Sequence, residues 1–116
     1  MKDLFTYKSF RKYLLDYYKH QKRTVPRYSY RNFSQMAGGT SRAFILNIIV
    51  GRRAISQSTI TKLCIAFKFT ALQTLFFEHL VYLGQATESW EKKAHTGQLK
   101  IIKKIWVERK KIKGLA

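Results

Sequence analysis

Arg42 and Asn47 carry the most discriminating chemistry in this chain. The arginine fork can bond guanine O6 and N7 together, and the asparagine amide can do the same for adenine N6 and N7. Leu46, beside Asn47, can touch a thymine methyl, and Ser41 completes the outward set of candidate base contacts. Phosphate contacts need less precision, and helix starts and flanking arginines supply them. Tyr30 and Arg31 can grip one backbone strand, Arg52 and Arg53 the other, with Thr40 between them. Plainer roles stay open: Arg42 touching phosphate only, Asn47 solvated, Arg52-Arg53 compensating a helix dipole.

No catalytic constellation competes with this set. Six acids are scattered along the chain, and His20, His79 and His95 have neither ligand nor triad spacing. Gly38-Gly39 is a turn rather than a phosphate loop, and no Cys/His metal spacing appears, so neither a metal nor a cofactor is implied. His79 reads as a partly buried polar residue. Cys64, the only cysteine, has Ile60, Leu63 and Phe67 as helical neighbours and reads as a core thiol.

The charge pattern names the class of partner. Lys+Arg 23 against Asp+Glu 6 gives +17 over 116 residues. Between Asp16 and Glu78 there is no acid at all, yet Lys19, Lys22, Arg23, Arg27, Arg31, Arg42, Arg52, Arg53, Lys62 and Lys68 lie there. Such a surface associates fast and salt-sensitively with a phosphate backbone through counterion release. At 46% hydrophobic and 15% aromatic the chain is too apolar for a disordered tail and suits one compact domain. No signal segment and no run of roughly 18 apolar residues is present, so a membrane partner is not expected and a cytoplasmic, nucleoid-associated location is.

Helical periodicity positions the candidates. Phe10, Tyr13, Leu14, Tyr17 and Tyr18 mark a first helix from Tyr7 to Arg23, ending in a basic cluster that either caps the helix or meets phosphate. Ser29 caps a second, with Phe33, Met36 and Ala37 inward, and Gly38-Gly39 stops it. Thr40 or Ser41 caps a third to about Val50, with Phe44, Ile45, Ile48 and Ile49 inward and Gly51 ending it. Two helices joined by a glycine turn outline a helix-turn-helix. A tighter turn would bury Asn47 unpartnered at roughly 1 to 3 kcal/mol, so the register with the longer turn is preferred.

A fourth helix opens at Ser56 or Ser58 and carries Ile60, Leu63, Cys64 and Phe67. Thr70 to Gln73 has capping-box spacing, and a fifth helix carries Leu72, Leu75, Phe76, Leu80 and Leu83 to about Ala86. Gly97 is read as a break, followed by a basic helix from about Gln98 to Lys113 with a stripe of Leu99, Ile102, Ile105, Trp106 and Ile112. The expectation is all-α: a five-helix domain over residues 1–86 and a basic helical extension over 87–116.

Ser29-Tyr30-Arg31-Asn32-Phe33-Ser34-Gln35-Met36-Ala37-Gly38, then Phe44-Ile45, then Gly51-Arg52-Arg53-Ala54-Ile55-Ser56, resemble the N-terminal module of a poorly characterised bacterial family. Its chains begin with a lambda-repressor-like helix-turn-helix and continue into a domain of unknown function, which this chain is too short to hold. The resemblance covers roughly Phe10 to Ala86, including Phe76-Phe77-Glu78-His79-Leu80-Val81, and implies a transcriptional regulator on double-stranded DNA. A homodimer is expected, because single modules rarely bury enough surface for a specific operator.

The tail helix can pack on the domain or on a second copy, add DNA contacts, or lie on an anionic surface. Trp106, flanked by Ile102 and Ile105, reads as a packing anchor. A second class also stands, an interaction or membrane-surface protein using Leu46, Val50 and the tail.

Overall fold

Hydroxyl residues precede the first five α-helices of this chain, and left-handed residues follow three of them. The computed structural model describes residues 1–115 and is helical, with no strand among them; Ala116, the end of the expected extension, lies outside. A 3-10 turn at Leu4–Thr6 precedes α1 (Phe10–Thr24), α2 (Tyr30–Met36), α3 (Arg42–Ile49), α4 (Gln57–Ala66), α5 (Ala71–Gln85) and α6 (Ser89–Leu115). Ser9, Ser29, Ser56 and Thr70 each accept the backbone N–H three residues on, closing the starts of α1, α2, α4 and α5. Since Ser9 is the cap, α1 begins at Phe10 rather than Tyr7.

The three endings share one hydrogen-bond pattern. After α2, Gly38 N–H bonds Gln35 O at 3.1 Å and Gly39 N–H bonds Ser34 O at 2.8 Å. After α3, Gly51 N–H bonds Ile48 O and Arg52 N–H bonds Asn47 O, at 3.2 and 2.9 Å. These are Schellman closures, with Gly38 at φ 88° and Gly51 at φ 84°. The same closure after α4 puts Lys68 at φ 57°, where the Cβ is a steric cost.

Aromatic rings fill the interior. Phe67 sits within ring contact of Tyr13, Tyr17, Phe33, Phe69 and Phe77, at centroid distances of 5.7, 4.6, 6.3, 5.1 and 6.2 Å. That hub joins α1, α2, α4 and α5 in tilted and edge-on pairs, the favourable arrangements for ring quadrupoles. The apolar stripes of α1 to α4 face inward as their spacing predicts, and Cys64 is buried. In α5, Phe77 and Val81 are buried, whereas Leu75 is 48% exposed. Leu75 therefore leaves the expected inward set: Phe76, Leu80 and the Phe77–Val81 row already fill that side.

One buried polar residue ties α2 to α3. Ser34 is fully buried, and its Oγ accepts the buried N–H of Ile45 at 3.1 Å. Ser41, the N-cap of α3, makes no side-chain cap bond, so Ser34 reaches across to serve the first turn of the next helix. At the far end, Arg11 Nε donates to Ile48 O at 3.0 Å, anchoring α3 to α1.

The last helix departs from the expected break. Gly97 lies inside α6, which is continuous from Ser89; one glycine costs only about 1 kcal/mol, less than the packing on either side of it supplies. α6 runs back along α5. His95 meets His79 near the turn, and Trp106 stacks on Phe5 at 4.8 Å, with Phe5 edge-on to Phe76. Ile102 is buried in the common core and Leu99 and Trp106 are half-buried, whereas Ile105 and Ile112, expected in the same stripe, are exposed. They lie about a third of a turn away from that face.

The His79 and His95 Nδ1 atoms stand 3.0 Å apart, so one ring donates and the other accepts. Burial and then the charge of His95 hold the His79 pKa below its ordinary 6.5, with Glu78 opposing. Below pH 6.5 the unfolded chain thus takes up a proton more readily than the folded one, and stability falls with pH until the folded histidine also protonates. Two outcomes are expected. Urea unfolding of Ser34→Ala shows a loss of about 1 to 3 kcal/mol, the cost of an unsatisfied buried N–H; an unchanged midpoint contradicts the bridge. The fall in melting temperature between pH 7 and 5.5 is smaller in His95→Gln than in the parent, and equal slopes contradict the histidine coupling.

Candidate nucleic-acid interface

α2 and α3 are two short helices joined by the glycine-bearing turn from Ala37 to Ser41. A Cβ on Gly39 would overlap the Phe44 ring, so the backbone of the turn presses directly on α3. This fixes the face that α3 presents. Ile45, Ile48 and Ile49 are buried, while Ser41, Arg42, Ala43 and Val50 are exposed and Leu46 and Asn47 half-buried. Asn47 is outward, as the longer-turn register requires.

Seven of the nine candidate contacts gather in two open recesses beside the start of α3. Tyr30, Arg31 and Arg42 line one, together with Tyr18 and Ser29. Thr40, Ser41, Asn47 and Arg53 line the other, floored by Gly38, Gly39 and Phe44. Leu46 and Arg52 line neither. The two recesses therefore separate Arg42 from Asn47, the two candidate base readers, and place further candidate contacts beside each.

Local packing sets these side chains. Tyr30 lies flat on Tyr18 at 3.7 Å with the rings 5° apart, which holds the start of α2 against α1. Burial raises the Tyr30 pKa, so its hydroxyl stays a neutral donor at physiological pH. The Arg53 guanidinium sits 4.6 Å over the Phe44 ring, a cation–π contact that holds it against the turn. The Asn47 carbonyl accepts both the Arg52 and Arg53 N–H, at 2.9 and 3.1 Å, so the arginine pair is hung from the same residue that presents the amide.

The electrostatics leave the surface unspent. Among the described residues only two ion pairs form, Lys12–Asp16 at 3.1 Å and Lys111–Glu108 at 3.8 Å. Both lie outside α2, α3 and the turns beside them, so Arg31, Arg42, Arg52 and Arg53 make no ion pair among the described residues. The α3 start also lacks the side-chain cap found on the other helices of the domain, leaving first-turn amides beside Ser41 and Arg42 open to an anion.

Sequence reasoning missed Ser34, Tyr18 and Phe44 as positioning residues. Tyr18 and Phe44 counted only as inward apolar residues, and a serine inside a short helix gives no signal of a partner eleven residues on. Among the described residues, no three His, Cys, Asp or Glu side chains converge as metal ligands, and no helix is long and apolar enough to cross a membrane. No family model matches the chain, and neither a curated protein nor a solved structure matches it.

Proposed function

We propose that this chain is a lambda-repressor-like, DNA-binding transcriptional regulator, with α3 entering the major groove of duplex DNA. The observation that carries the proposal is the pair of acid-free recesses flanking α3, which gather Tyr30, Arg31 and Arg42 on one side and Thr40, Ser41, Asn47 and Arg53 on the other. Duplex DNA presents base edges beside its phosphate strands, and each recess sets a base-type side chain, Arg42 or Asn47, next to phosphate-type donors. Arg42 and Asn47 read base edges, with Ser41 and Leu46 beside them. Tyr30, Arg31, Thr40, Arg52 and Arg53 grip phosphates. Such binding is expected to act from the nucleoid of a cytoplasm, on a twofold site, without a cofactor.

The exposure of Val50, at 55%, favours a second reading in which the same scaffold docks a protein through Val50 and Leu46. Selection of bound duplexes from a random pool separates the two, and an enriched palindrome is expected. On the enriched duplex, Arg42→Ala and Asn47→Ala each weaken binding roughly 5- to 150-fold, the equivalent of 1 to 3 kcal/mol, and flatten preference at one base position. Arg52→Ala weakens enriched and random duplexes alike and lowers the salt slope by about one. Equal weak binding to every duplex, indifferent to Arg42 and Asn47, removes sequence reading.

A further inference from the structure

α6 carries two apolar stripes, and the fold uses one. His95, Leu99, Ile102 and Trp106 face α5 and Phe5. About a third of a turn round lie Ala94, Gln98, Ile101, Ile105, Glu108 and Ile112, spaced four, three, four, three and four residues. That is a strict 3.5-residue repeat, the period of a helix pairing seam. All six are exposed, with Ile101, Ile105 and Ile112 at 55, 38 and 67%. Seven basic residues lie between Gln98 and Lys113, yet none occupies a seam position.

We propose that this seam is the interface for a second copy of the chain, two α6 helices packing antiparallel about a twofold axis level with Lys103. The composition of the seam selects that occupant and that direction. In the antiparallel arrangement Ile101 meets Ile105 of the second copy at the centre. Gln98 meets Glu108, amide donor to carboxylate, and the bulk of Ile112 fills the space left by Ala94. Each seam residue finds a complement. A parallel pair would instead oppose Glu108 to Glu108 and leave Ala94 facing Ala94. An anionic bilayer or nucleic acid would be met by the lysine-rich arc that carries Lys93, Lys100, Lys103 and Lys111, and it would leave the seam uncovered.

The lysines beside the seam give the interface a salt signature. Lys104 lies next to the axis, close to Lys104 of the second copy, and their repulsion is screened as ionic strength rises. Association therefore tightens with salt, opposite to any contact with phosphates. The interface goes beyond the DNA reading and is measured without nucleic acid, so either can fail alone. If both hold, the pairing supplies the two copies that a palindromic site needs.

Sedimentation equilibrium of the full chain at tens of micromolar, at 0.1 and 0.5 M salt, is expected to give a dimer that strengthens at the higher salt. Ile101→Ser/Ile105→Ser is expected to be monomeric, with parental helix content and melting, since both positions are exposed. Under oxidation, an equal mixture of Ala94→Cys and Ile112→Cys chains forms covalent dimers and neither chain alone does; Cys64 is buried and remains silent. A monomer at both salts, a dimer indifferent to the double variant, or self-linking of Ala94→Cys chains overturns the proposal. So does a solution monomer whose seam is needed only to bind phosphatidylserine vesicles.

Discussion

The buried bond from the Ile45 N–H to the Ser34 hydroxyl is what makes α2 and α3 a unit rather than two short helices. Seven and eight residues are too few for helices to stand alone, and α3 has no side-chain cap of its own. Ser34 supplies the missing acceptor from inside the neighbouring helix, and its carbonyl closes the turn through Gly39. The turn then sets Phe44, and Phe44 sets Arg53. Arg11 holds the other end through Ile48. With both ends of α3 fixed from outside, its outward side carries the Arg42 side chain exposed and those of Leu46 and Asn47 half-buried.

Charge imposes the opposing constraint. A net +17 with two ion pairs among the described residues means that self-repulsion works against the folded state at every step. The ring cluster around Phe67 and the Phe5–Trp106 stack supply cohesion that does not depend on pairing charges. Acids between Ser29 and Arg53 would ease that repulsion, yet they would also neutralise the surface proposed to meet DNA. Their absence between Asp16 and Glu78 fits a surface kept for an external counter-charge.

Much of the architecture was legible because it rests on local signals. Hydroxyl caps at Ser29, Ser56 and Thr70, glycine stops at Gly38 and Gly51, and helical spacing of apolar residues each act within a few positions. Asn47 was placed outward by elimination, since no partner for it was in sight. What escaped depends on partners far apart in the chain. Ser34 bonds across a turn, His79 finds His95 sixteen residues on, and Gly97 stays helical only because α6 is clamped to α5. Leu75 shows the complementary error: spacing ranks residues by hydropathy, whereas burial also depends on which of several apolar rows the neighbouring helices reach. The two recesses beside α3 were legible as residues but not as two separate groups, because their division depends on how the turn folds over Phe44.

The central claim, that the outward face of α3 and its two flanking recesses meet duplex DNA, is tested most directly by following backbone amide resonances as a duplex is added. The account predicts that Tyr30, Arg31, Thr40 to Asn47, Arg52 and Arg53 shift together, with α5 unmoved. Shifts confined to α6, or spread evenly over all lysine- and arginine-bearing segments, would contradict it.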